Sequence, residues 1–84
     1  MENKHIEKQI RQYINEAILF SDDAVAYEDD DSLLAEGIVD SVGVMDLVLF
    51  VEQAFNVDVE DREITPDNFD SIDKMAHFVR TKQG

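Results

Sequence analysis

The sequence predicts an all-α fold, a small four-helix bundle with a long loop between helices one and two and a short third helix. Three observations carry that expectation. Apolar residues near the start recur at helical spacing, and Ser41 to Phe55 runs for fifteen residues with Gly43 as its one internal breaker. Thr65-Pro66 and Asp70-Ser71 read as two further helix starts. At 84 residues the chain fits one small domain, residues 1–84, and buries only about 60–65% of its unfolded surface. Such a chain builds one core but hardly a deep catalytic cleft.

The first helix is expected from about Asn3 to Phe20. Ile6, Ile10, Tyr13, Ile14 and Ala17 fall on one face, with charged and amide residues between them. Ser21-Asp22-Asp23 ends the pattern. A long loop follows, acidic from Glu28 to Asp31, with room for one helical turn and with Leu33 and Leu34 expected to anchor it on the core. Ser41–Phe55 contains the β-branched Val42, Val44, Val48 and Val51, yet its length and cap-like start favour helix. Asn56 is a plausible C-cap. Thr65-Pro66 opens a short helix through Phe69. Asp70 or Ser71 then caps a last helix with Ile72, Met75, Ala76 and Val79 on one face and Lys74, Arg80 and Lys82 near its end.

Charge narrows the partners. The formal net charge is −13, and the fifty residues from Gln12 to Asp61 hold 14 acids and no lysine or arginine. That balance opposes nucleic acid and anionic membranes and favours basic protein surfaces. No cysteine is present, so the chain offers no disulfide, thiolate metal site or thiol of its own. No signal peptide and no run of membrane-spanning length is visible, which reads as a cytoplasmic protein without stable membrane insertion.

Enzyme and metal readings find little support. His5 and His77 are the only histidines and lie far from Ser41 in sequence, and the serine lacks a Gly-x-Ser-x-Gly elbow. Asp29-Asp30-Asp31 invites a calcium loop. Placing Gly37 at the sixth position, however, puts Ser32 and Leu34 at the first and third, where acids or amides are required. No metal site is expected.

Asp40-Ser41 is the most informative dipeptide. It places a serine hydroxyl at the first turn of a helix, where free N–H groups and the positive end of the dipole favour an esterified anion. The plain alternative is that Asp40 or Ser41 merely caps the helix. Farther along, Val44, Leu47, Val48, Val51 and Phe55 share a face that must meet the core. Val42, Met45 and Leu49 cluster opposite, beside Asp46 and Gln53. An apolar outer face rimmed by acids fits a docking surface; the alternative is a helix buried on both sides.

The segment Glu36-Gly37-Ile38-Val39-Asp40-Ser41-Val42-Gly43-Val44 resembles the modification site of acyl carrier proteins, and the order of helices extends the resemblance over nearly the whole chain. The resemblance implies 4′-phosphopantetheine, from coenzyme A, on Ser41, with Asp40 as motif neighbour. It implies loading by a phosphopantetheinyl transferase with Mg²⁺. Acyl- or aminoacyl-activating and acyl-transferring enzymes would meet the carrier through basic patches. Asp46 and Glu52 match acidic docking positions, whereas Gln53 replaces another. Val42 stands where a larger aliphatic is usual, and Gly43 where fatty-acid carriers often have an acid. Those departures point to a specialised stand-alone monomer of polyketide, lipid or aminoacyl type. Asn68-Phe69-Asp70-Ser71-Ile72 is similar to the tail of dedicated carriers, D-alanyl carrier proteins included. By the same resemblance Val44, Val48, Val51, Ile64, Phe69, Ile72 and Met75 line an acyl pocket. An aminoacyl, D-alanyl or peptidyl carrier, and an acidic interaction module with an unmodified serine, stand as alternatives.

Overall fold

The amphipathic start of the chain folds as expected through three isoleucines spaced four apart. Ile6, Ile10 and Ile14 are all buried, the last two completely. The computed structural model describes residues 5–18 and 27–83. Within them α1 spans His5–Tyr13 and continues as a π-helical turn, Ile14–Ile18. The wider turn shifts the phase of the apolar stripe, so Ile18 packs against the core while Ala17 is exposed, contrary to the simple periodicity. The expected helix ends near Asn3 and Phe20, and the stop at Ser21-Asp22-Asp23, lie outside the described residues.

Next comes α2, Ser41–Phe55, closed by Asn56 in the left-handed region at φ 55°, ψ 50°. Asparagine tolerates that conformation, as the C-cap reading requires. A 3₁₀ turn that the sequence did not reveal, Asp61–Glu63, precedes α3, Pro66–Phe69. Thr65 stands at the N-cap of α3 with proline at N1; its carbonyl, not its hydroxyl, accepts from Asn68 and Phe69. The last helix, α4, spans Ile72–Gln83. Its cap is Ser71, whose buried hydroxyl accepts the Lys74 N–H at 3.0 Å. No strand occurs among the described residues, and the architecture is the predicted four-helix arrangement.

α1 and α3 both pack on α4, and α2 meets α3. Phe69, Ile72, Met75 and Val79 are completely or almost completely buried at the centre, with Leu47 and Val51 from α2. The ends of the chain are joined by charge. Glu7 of α1 is a buried acid, and the Arg80 guanidinium of α4 grips it with two hydrogen bonds of 2.8 Å. Such a fork adds geometric specificity to the attraction. Lys82 pairs with Glu63 at 2.8 Å, and that bond, then one from the Glu60 backbone, holds the Glu63 carboxyl below its ordinary range.

The Glu7–Arg80 pair spans nearly the whole sequence, so its loss should loosen α1 from α4. Arg80→Ala is expected to lower the unfolding free energy by about 3 kcal/mol, because Glu7 loses its fork in a buried setting. Chemical denaturation of the variant beside the parent measures that loss.

Candidate functional site

The junction into α2 is built from the loop before it. Leu33 is completely buried, and Ile38 and Val39 join it in the core. Leu34 does not; it is 40% exposed, a correction to its expected role as an anchor. The reason is local. Backbone bonds to Asp70 hold Leu33 and Leu34 side by side, so only one of the two neighbouring side chains can turn inward. The loop contains the one helical turn that the sequence allowed: the Glu36 N–H donates to the Ser32 carbonyl at 3.0 Å, and the Gly37 and Ile38 N–H groups close the turn on the Leu34 and Leu33 carbonyls. Gly37 takes φ 72°, a left-handed conformation that strains side chains with a Cβ.

Asp40 is the cap. Its backbone is extended, its Oδ1 accepts the Gly43 N–H at 2.8 Å, and its carbonyl accepts the Val44 N–H at 3.0 Å. Ser41 is therefore the first helical residue, exposed, with its hydroxyl not used as the capping acceptor. Val39 and Val44 have the N′ and N4 spacing of a hydrophobic staple, a signal that would have marked Val39 as an anchor. Gly43 also has a local reason. A Cβ there would lie 3.2 Å from the Val39 Cβ, tighter than ordinary packing allows without a shift. The close approach of Val39 explains a glycine where helix propensity disfavours one.

Beside Ser41 lies a mainly apolar recess of about 230 Å³, lined by Leu34, Val44, Met45, Ile64, Thr65, Pro66, Phe69 and Asp70 along with Ser41 itself. Of the residues expected to form an acyl pocket, the structure brings Val44, Ile64 and Phe69 to this recess. Val48, Val51, Ile72 and Met75 are packed behind it in the core instead, 3% exposed or less. In a bundle this small those central side chains fill the core. Leu34, Met45 and Pro66 enter the lining because tertiary packing brings their segments to the mouth.

The outward face of α2 is as the periodicity required. Val42, Met45 and Leu49 are 69%, 47% and 53% exposed. Asp46 is exposed beside them, and burial, then the Asp46 charge, push the Tyr13 phenol up. Glu52 also serves the fold. Its half-buried carboxylate accepts the Val59 N–H at 3.0 Å and fastens the chain leaving α2. His5 and His77 are exposed on α1 and α4. No cluster of three or more acids or histidines able to hold a metal occurs among the described residues. Among the same residues no helix is long and apolar enough to cross a membrane.

Residues 8–79 match the family described as phosphopantetheine attachment site. The chain belongs to that family. No curated protein matches it significantly. A phosphopantetheine carrier has 4′-phosphopantetheine as a covalent prosthetic group and works with a phosphopantetheinyl transferase and partner enzymes. The residues fit such a group: an exposed hydroxyl stands at a helix start, an uncommitted face of α2 flanks it, and an apolar recess opens next to it.

Because Asp40 supplies the side-chain cap, Asp40→Ala should cost about 1 kcal/mol of stability, while Asp40→Asn should recover most of the loss. Thermal or denaturant unfolding of the three proteins reads the difference.

Proposed function

We propose that the chain is a single-domain acyl carrier protein in which Ser41 is the attachment residue. The observation that carries this reading is the exposed Ser41 hydroxyl at the first turn of α2, beside an apolar recess. When attached, 4′-phosphopantetheine supplies the thiol that the chain lacks and takes its cargo as a thioester. The chain's own contributions are positional. The first turn of α2 favours the phosphodiester anion through its N–H groups and dipole. Asp40 keeps that turn formed. Tethering raises the effective concentration of cargo at each partner to about the millimolar range.

The apolar lining of the recess favours an acyl cargo over a charged aminoacyl one, since its carboxylate, Asp70, already accepts from Ser32 and Leu34. On this reading the carrier serves partner enzymes of fatty-acid, polyketide or lipid biosynthesis in the cytoplasm, as a monomer, and catalyses nothing itself. Val42, Met45 and Leu49 contact a shallow apolar recess on those partners. Asp40 and Asp46 meet a basic patch, with Glu52 left to its structural bond.

The test of attachment is intact mass. With coenzyme A and a broad-range transferase the parent should gain one phosphopantetheine, and Ser41→Ala should fold yet gain none. A mass gain in that variant overturns the assignment.

The docking face is tested by loading rate against salt. Exposed ion pairs are individually worth only about 0–1 kcal/mol, so the acids act mainly on encounter and orientation. Asp46→Lys should slow loading most at low salt, with the defect shrinking as ions screen the field over about 10 Å. Leu49→Ala should slow loading at every salt concentration. Parent-like rates for both variants would remove this face from recognition.

A further inference from the structure

Where α1 meets the loop, a tyrosine and a carboxylate share one cation. The Arg11 guanidinium lies 4.4 Å from the centroid of the Tyr27 ring and donates to the Asp29 carboxylate at 2.5 Å. It also donates to the Tyr27 carbonyl at 3.2 Å. The three groups suit one another, because the negative face of a ring attracts a cation and a planar guanidinium can stack while it hydrogen-bonds.

A second tyrosine and carboxylate meet between α1 and α2. The Tyr13 ring stacks on Phe50, with centroids 4.3 Å apart and planes 16° from parallel, and Phe50 meets Phe55 edge-on at 6.0 Å. Asp46 stands one turn before Phe50 on the same edge of α2, near enough for its charge to act on the Tyr13 phenol. Tyr13 and Phe50 are half-buried and Asp46 is exposed. Here the chain supplies no cation. No lysine or arginine occurs between Gln12 and Asp61, and Arg11, Arg62, Arg80 and Lys82 are paired with other acids.

Resting on the reading of α2 as a docking face, we propose that Tyr13 and Asp46 form a clip for an arginine on the basic surface of a partner enzyme. The clip carries the interaction surface from α2 onto α1 and prefers arginine to lysine. The Asp46 carboxylate can take a guanidinium through two N–H groups at once. Phe50 occupies one face of the Tyr13 ring, and the other is the face the cation takes. Because the aromatic stack already orients that ring, little side-chain freedom is lost on contact. A lysine ammonium meets the same negative charge, but as a compact and strongly hydrated point it neither forks nor stacks. Exposed acids alone steer any basic surface; the ring beside Asp46 adds a choice between cations.

The experiment uses the full unmodified chain and two probes of equal charge, acetyl-tetraarginine amide and acetyl-tetralysine amide. Each is titrated at low salt while NMR shifts are followed at the Asp46 amide and the Tyr13 ring. The parent should bind the arginine peptide about two- to fivefold more tightly than the lysine peptide. Tyr13→Leu should bring that ratio to about one while binding the lysine peptide as the parent does, a pattern that mere loosening of α1 would not produce. Tyr13→Phe, which keeps the ring, should retain the ratio, and Asp46→Asn should weaken both peptides. The arginine peptide should also slow transferase loading of the parent more than the lysine peptide does, and Tyr13→Leu should abolish that difference. Equal binding of the two peptides by the parent, an unchanged ratio in Tyr13→Leu, a ratio lost in Tyr13→Phe, undiminished binding by Asp46→Asn, or equal slowing of loading would each overturn the inference. A chain that gains no mass at Ser41 would instead defeat the carrier reading, and the peptide ratio would still be measurable, so the two failures are told apart.

Discussion

The backbone of Leu33 donates to the Asp70 carbonyl at 2.7 Å, and its own carbonyl accepts the N–H groups of Ile38 and Val39 at 2.9 and 3.3 Å. With its side chain completely buried, Leu33 ties the acidic loop to the α3–α4 junction and folds the next five residues back over that point. The start of α2 depends on this arrangement. Val39 is brought into the core one residue before the cap, so Asp40 turns the chain and Ser41 emerges on the surface at the first helical position. The same tie leaves Leu34 outside and draws the Asp70 carboxylate into the loop. Buried backbone groups must find partners, and here satisfying them also places the serine.

Electrostatics separates the molecule into two parts. Arg11, Arg62, Arg80 and Lys82 pair with Asp29, Glu60, Glu7 and Glu63, all acids outside α2. Arg11 thereby ties α1 to the loop, Arg80 ties α4 to α1, and Lys82 ties α4 to the Asp61–Glu63 turn, while the Arg62–Glu60 pair is local and exposed. Asp40 and Asp46 are left in a region with no basic residue between Gln12 and Asp61. The resulting field acts over about a Debye length and steers encounter with a basic surface. A small domain bearing −13 charges loses stability to self-repulsion, and the Glu7–Arg80 fork partly offsets that at a buried position.

Much of this was legible along the chain because it rests on local rules. The apolar periods announced α1, α2 and α4, Pro66 announced α3, Asn56 marked the end of α2, and Asp40-Ser41 marked its start. The exposed trio Val42, Met45 and Leu49 followed from helical phase alone. Phase failed at Ala17, where a π turn changes the residues per turn, and no local rule foresaw the Glu52 carboxylate reaching the backbone of Val59 seven residues on. A one-dimensional pattern carries no signal for either event. The 3₁₀ turn at Asp61–Glu63 was likewise hidden, since charged residues there read simply as loop.

The sequence by itself determined the helical class, the acidic field, the lack of any thiol and the serine at a helix start, because each depends on residue type or near-neighbour spacing. Tertiary structure decided which of Asp40 and Ser41 is the cap, which of Leu33 and Leu34 is buried, and which expected pocket residues reach the recess. Those choices turn on contacts between segments far apart in the chain. Asp70 lies 36 residues from the Leu34 amide it holds, and the recess is shared by the loop, α2 and the segment around α3. Hydrophobicity marks a residue as fit for burial; the space left after the bundle has packed decides where it goes.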